Sequence, residues 1–114
     1  LFQLIGTPGK NYDTPQFRKD MRAYILRGGD DDGFLRQMAA IIGSKNRKDL
    51  ITSIHIPTLI IHGDIDPLIK VKNAYAANKL IKSSELEIVS GMGHLLDEES
   101  YSKFKNQFIS FLSK

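Results

Sequence analysis

His62-Gly63-Asp64-Ile65-Asp66 and Gly91-Met92-Gly93-His94 are the stretches of this sequence where acids, imidazoles and glycines meet. Each follows a short apolar run, Thr58-Leu59-Ile60-Ile61 in one case and Leu86-Glu87-Ile88-Val89 in the other. If both runs are strands of a parallel sheet, both loops open at its carboxyl edge, where groups from different strands collect. Neighbouring strands lie about 5 Å apart. Asp66 and His94, 28 positions apart in sequence, would then be close in space. A carboxylate on one imidazole nitrogen fixes the tautomer and stabilises the imidazolium formed when the other nitrogen takes a proton. The chemistry this pairing offers is general acid–base catalysis, and the glycines let the backbone turn tightly beside it.

Each residue also has a plainer reading. An Asp in a G-D-x-D-P turn ordinarily serves the turn, accepting nearby backbone donors. Taken singly, Asp66 reads that way; His94 in the matching loop reverses the balance. Asp64 is the competing acid. His62, at a strand end, reads as a structural histidine, and His55, before Pro57, as a surface one. Other patterns fail on inspection. Gly6-Thr7-Pro8-Gly9-Lys10 lacks the phosphate-loop spacing and has Asn11 where Ser or Thr should follow the lysine. Asp30-Asp31-Asp32-Gly33, aligned as a calcium loop, puts Gly28 and Ala39 at the two key carboxylate positions. Gly91-Met92-Gly93 lacks the third glycine of a dinucleotide site. No metal and no organic cofactor is expected.

The elements that must position these loops follow from periodicity. Residues 1–14 read as a loop. Phe17, Met21, Tyr24 and Ile25 form the stripe of a helix over 15–27, stopped by Gly28-Gly29. Carboxylates at Asp30-Asp31-Asp32 precede a second stripe, Phe34, Leu35, Met38, Ile41 and Ile42, ended by Gly43-Ser44. A polar turn spans 46–53. The run at 58–62 lacks alternation, as in a strand covered on both faces. A helix over 71–82 faces inward with Val71, Tyr75, Leu80 and Ile81, and a strand follows at 86–89. Tyr101, Phe104, Phe108, Ile109 and Leu112 mark a last helix. The second half is therefore β-α-β-α, with parallel pairing and a right-handed crossover. Two such apolar strands cover themselves poorly, so this reads as a piece of a larger sheet.

The 114 residues suffice for one small domain. Net charge is only +3 and the lysines are scattered, so no nucleic-acid surface is expected. Without cysteine there is no disulfide, thiolate metal site or cysteine nucleophile. No apolar stretch reaches the ~18 residues of a membrane span and no signal peptide is visible, so a cytoplasmic location is expected.

Ile56-Pro57-Thr58-Leu59-Ile60-Ile61-His62-Gly63-Asp64-Ile65-Asp66-Pro67-Leu68-Ile69 resembles the acid-bearing strand and loop of α/β-hydrolases, and Ser90-Gly91-Met92-Gly93-His94 resembles their histidine loop. The likeness covers residues 56–114. Residues 15–54 are loosely similar to the helical lid many members insert, and Arg27 to Ile42 to that of aclacinomycin methylesterase-type esterases. The resemblance implies an α/β fold: the C-terminal β-α-β-α portion of an α/β-hydrolase preceded by lid-like helices. Residues 1–55 would be the lid remnant and 56–114 core. It also implies Asp66 as triad acid, His94 as general base, and an ester or similar acyl substrate of small size. Lys70 departs from a common proline, which bears on loop rigidity and pocket charge. The family order is Ser, then acid, then His, with the serine in G-x-S-x-G. None of the nine serines here stands in that pattern. The expectation is thus an inactive C-terminal fragment that self-associates as a homodimer through its exposed strand edge. The alternatives are a non-catalytic α/β binding module, or a parent with an Asp nucleophile as in haloalkane or epoxide chemistry.

Overall fold

A computed structural model describes residues 2–28 and 32–114. Gly29, Asp30 and Asp31, expected in a helix stop and a helix start, lie outside the described residues. The elements run α1 Phe2–Ile5, α2 Pro15–Leu26, α3 Gly33–Gly43, α4 Lys48–Thr52, β1 Thr58–Gly63, α5 Lys72–Leu80, β2 Ser84–Val89 and α6 Glu98–Leu112. The chain divides into two compact units, Leu1–Lys10 with Lys48–Lys114, and Asn11–Arg47.

In the first unit β1 and β2 pair in parallel, from Thr58 opposite Ser84 to Gly63 opposite Val89. The expected β-α-β crossover is present, with α5 packed on both strands and α6 on β2. The core is small. Val89, Met92 and Phe104 are buried together, with Ile61, Tyr101 and Phe108 half-buried around them. Tyr101 meets Phe104 edge to face at 5.5 Å between ring centres, a geometry aromatic quadrupoles favour. Asp97 starts α6 by accepting the Ser100 N–H at 2.8 Å, and Glu98 and Glu99 suit the positive end of its dipole.

Several expectations need correction. The segment 1–14 holds the single turn α1, and the polar stretch 46–53 holds α4. Both are too short for a periodic signal to emerge. On α5 the buried residue is Ala74, whereas Tyr75 is 53% exposed; a small side chain lets the helix lie close to the strands. Ile109 and Leu112 are exposed as well. The strands are half-buried along most of their length rather than covered on both faces.

In the second unit α2 begins where expected. Thr14 accepts the Phe17 N–H at 3.1 Å and Pro15 occupies the first turn, where its missing N–H costs nothing. Gly28, at φ +105°, ends it. Asp32 makes no side-chain cap to α3, so the expected dipole contribution does not extend to a capping bond. Neither α2 nor α3 buries a residue, and Tyr24, Ile25, Phe34, Leu35 and Ile42 are more than half exposed. Period 3.6 made the helices; it did not supply a surface to cover them. No helix among the described residues is long and apolar enough to cross a membrane.

With so few buried side chains, Phe104 dominates the first unit. Phe104→Ala is expected to destabilise it by about 3 kcal/mol or more, read by urea unfolding followed by circular dichroism. A loss under about 1 kcal/mol would place the stabilising core elsewhere.

Candidate active site

The acid turn leaves the end of β1. Asp66 is buried, and its carboxylate is fully engaged. Oδ1 accepts the N–H groups of Leu68 and Ile69 at 2.8 and 2.9 Å, the local turn that Asp side chains favour. Oδ2 lies 2.8 Å from His94 Nδ1. The sequence therefore offered two roles for Asp66, turn former and partner of His94, and the two oxygens perform one each. Burial pushes the Asp66 carboxyl up. The hydrogen bonds from His94, Ile69 and Leu68 and the nearby imidazole charge outweigh it and hold the group below its ordinary value.

His94 lies five residues beyond the end of β2. Its side chain is 35% exposed. With Nδ1 donating to Asp66, Nε2 is the nitrogen left to exchange a proton with a reacting group. His62 Nε2 donates to the Ile69 carbonyl at 2.8 Å and stands 3.7 Å from Asp66 Oδ2, beyond hydrogen-bond reach. His55 is exposed.

The two loops touch. A Cβ on Gly63 would lie 2.1 Å from the Met92 carbonyl oxygen, so glycine is required there by close approach. Asp64, the competing acid, is 27 residues from its partner: its Oδ1 accepts the Gly91 N–H at 2.7 Å. The Ile65 N–H reaches the Met92 carbonyl at 3.3 Å. Lys103 of α6 donates to the Ser90 carbonyl at 3.0 Å. Gly91 itself is at φ +73°, which glycine adopts without strain. On the N-terminal side, Gly93 N–H donates to Thr7 Oγ1 at 3.1 Å and His94 N–H to the Ile5 carbonyl at 2.8 Å. Sequence reading missed Thr7, Ile5 and Lys103, because nothing local marks contacts between segments 13 to 86 or more positions apart.

An open cleft of about 500 Å³ flanks the acid turn, lined by residues 64–67 and 70–72. Lys70, the departure from the common proline, is on its wall. No group of three or more His, Cys, Asp or Glu able to hold a metal occurs among the described residues.

A solved structure of a serine hydrolase involved in carbazole degradation aligns with 97% of this chain and 44% of its own length, at a TM-score of 0.64 and 22% identity. The fold is that of the α/β-hydrolases. In sequence, the chain is 35% identical over 66 residues to a 2-hydroxy-6-oxo-6-(2'-aminophenyl)hexa-2,4-dienoic acid hydrolase of Metapseudomonas resinovorans. It is equally similar, 35% over 66 residues, to a putative non-heme chloroperoxidase of Synechocystis. These matches cover 58% and 57% of this chain, and the chain spans about a quarter of the length of each relative, 23% and 24%. No protein-family model matches the chain.

The depressed Asp66 carboxyl gives a pH dependence with a definite sign. A carboxyl lowered on folding contributes stability above its unfolded value, near 3.8, and that contribution is lost as pH falls through the lower folded value. The stability advantage of the native chain over Asp66→Asn should therefore shrink between about pH 5 and pH 2. Urea unfolding of both proteins across that range is the measurement; a constant difference would mean that Asp66 is not held ionised by these contacts.

Proposed function

We propose that this chain supplies the acid and the general base of a serine hydrolase acting on an ester or similar acyl bond of a small molecule. The observation that carries this reading is the 2.8 Å contact between buried Asp66 Oδ2 and His94 Nδ1, at the carboxyl edge of two parallel strands. In the proposed mechanism His94 Nε2 takes the proton of a serine hydroxyl as it attacks the acyl carbon, then returns it to the leaving group. Asp66 keeps the proton on Nδ1 and stabilises the imidazolium formed between the two steps. The nucleophile is a residue outside this sequence, none of whose serines stands in G-x-S-x-G. Similarity to a solved serine hydrolase favours serine over aspartate in that role. The second unit, with its uncovered stripes on α2 and α3, is read as the lid. A purely binding module has no need of the engaged Asp66–His94 pair.

The test compares this chain with a protein that carries it together with an upstream G-x-S-x-G segment, using a fluorophosphonate probe and an activated aryl ester. The 114-residue chain should not be labelled and should show no turnover, since it lacks nucleophile and oxyanion donors. The longer protein should be labelled on one serine. There His94→Ala should abolish nearly all catalysis, and Asp66→Asn should slow it by about 10⁴-fold by favouring the wrong tautomer. Asp64→Asn, which keeps an oxygen acceptor for Gly91, should be mild. Stoichiometric labelling of a serine in the short chain would overturn the assignment of roles. A damaging Asp64→Asn with a harmless Asp66→Asn would move the acid to Asp64.

The same reading includes self-association of the 114-residue chain. β1 pairs only with β2 among the described residues, so its other edge presents backbone donors and acceptors without a ladder. Thr58-Leu59-Ile60-Ile61 has no charge or proline to blunt that edge. A symmetric dimer is the simplest closed arrangement. Gel filtration with light scattering at micromolar concentration should give the mass of two chains; a clean monomer ends the idea.

A further inference from the structure

The His94 loop is tied by its own neighbours, Asp64 and Lys103, and also by the far N-terminal segment of the chain. That segment has a definite local construction. The single turn of α1 leaves carbonyls at its C-terminus without helical donors, and the Ile5 carbonyl accepts the His94 N–H at 2.8 Å. Thr7-Pro8-Gly9-Lys10 then turns back, with the Lys10 N–H on the Thr7 carbonyl at 3.2 Å and Gly9 at φ +81°. Gln3 Nε2 donates to the Lys10 carbonyl at 2.7 Å. Lys10 Nζ lies 2.9 Å from Asp97 Oδ2, at the start of α6. The segment is thus closed on itself and pinned to the helix that follows the His94 loop.

Its fit to that loop is close. A Cβ on Gly93 would come within 2.3 Å of the Gly6 carbonyl carbon and 2.5 Å of the Thr7 nitrogen. Both glycines are buried. The Thr7 hydroxyl oxygen accepts the Gly93 N–H at 3.1 Å, and the next N–H is the one bonded to Ile5. Two consecutive backbone donors immediately before and at His94 are therefore oriented by residues 5–7.

We propose that residues 5–7 form a positioning strap for His94, in which the Thr7 hydroxyl and the Ile5 carbonyl fix the backbone from which the imidazole reaches Asp66. Thr7 is a positioning residue; it acts through Gly93 and His94. The catalytic meaning of the strap rests on the hydrolase reading, but its physical content is the geometry of the Asp66–His94 pair, which is measured without substrate.

The experiment is NMR on the 114-residue chain labelled with ¹⁵N. A ring N–H held on a buried carboxylate exchanges slowly enough to give its own downfield resonance, so the His94 Nδ1–H signal reports the pair. The Thr7→Val variant keeps the shape and removes the acceptor. It should lose that resonance and speed exchange of the Gly93 amide, which loses its acceptor, about fivefold, the net worth of one hydrogen bond. Thr7→Ser should restore both. Gly93→Ala, which pushes the strap away sterically, should behave like Thr7→Val. Amides of the β1–β2 ladder stay protected in every variant. The proposal is overturned by a Thr7→Val chain with the native ring signal and native Gly93 exchange, or by failure of Thr7→Ser to rescue. Collapse of ladder protection along with the ring signal in both Thr7→Val and Gly93→Ala would also overturn it, by making the segment a requirement for folding rather than for positioning. Each of these outcomes is independent of whether a longer protein hydrolyses esters.

Discussion

The parallel ladder between β1 and β2 fixes where the two strands leave the sheet, and the site follows from that. Gly63 sits opposite Val89, the last pair in register. From there the loop after β1 needs three residues to reach Asp66 and the loop after β2 five to reach His94. A slip of one position would reverse which face each side chain meets. The ladder continues into the loops through the Asp64 N–H on the Val89 carbonyl and the Ile65 N–H on the Met92 carbonyl. The absent side chain of Gly63 lets the second of these contacts close.

The site is held by backbone hydrogen bonds more than by apolar burial. The N–H groups of residues 91–94 each have an acceptor, from Asp64, Val89, Thr7 and Ile5 in turn. The Asp66 carboxylate accepts three hydrogen bonds. A buried carboxylate without such donors would favour its neutral form. Here the donors win against burial, which leaves an anion beside His94 rather than an acid. The apolar support beneath is a short stack of Val89, Met92 and Phe104, with Met92 belonging to the His94 loop itself. Core and site therefore share a residue.

The two compact units differ in how they hold together. The sheet unit joins segments distant in sequence, such as residues 2–10 and 90–97. The second unit consists of helices made by local bonds, with Thr14 capping α2 and Arg18 paired to Asp13 at 2.7 Å on an exposed surface. Ion pairs so exposed contribute little. Its large apolar residues remain mostly exposed.

Sequence by itself determined the elements with a strong period and the two loops that meet at the ends of the strands. Helices α2, α3, α5 and α6, both strands, their parallel sense and the meeting of Asp66 with His94 were legible, because periodicity, strand composition and turn glycines are local signals. The short helices α1 and α4 left no such trace. Burial on each helix was misjudged where it depended on a partner, as with Tyr75 against Ala74. Only the tertiary structure decided that Asp64 binds Gly91 rather than its own turn, and that Thr7 and Ile5 hold the His94 loop. Those are contacts between chain segments brought together by packing. A sequence carries no local mark of which distant backbone group will arrive beside a given hydroxyl or carbonyl.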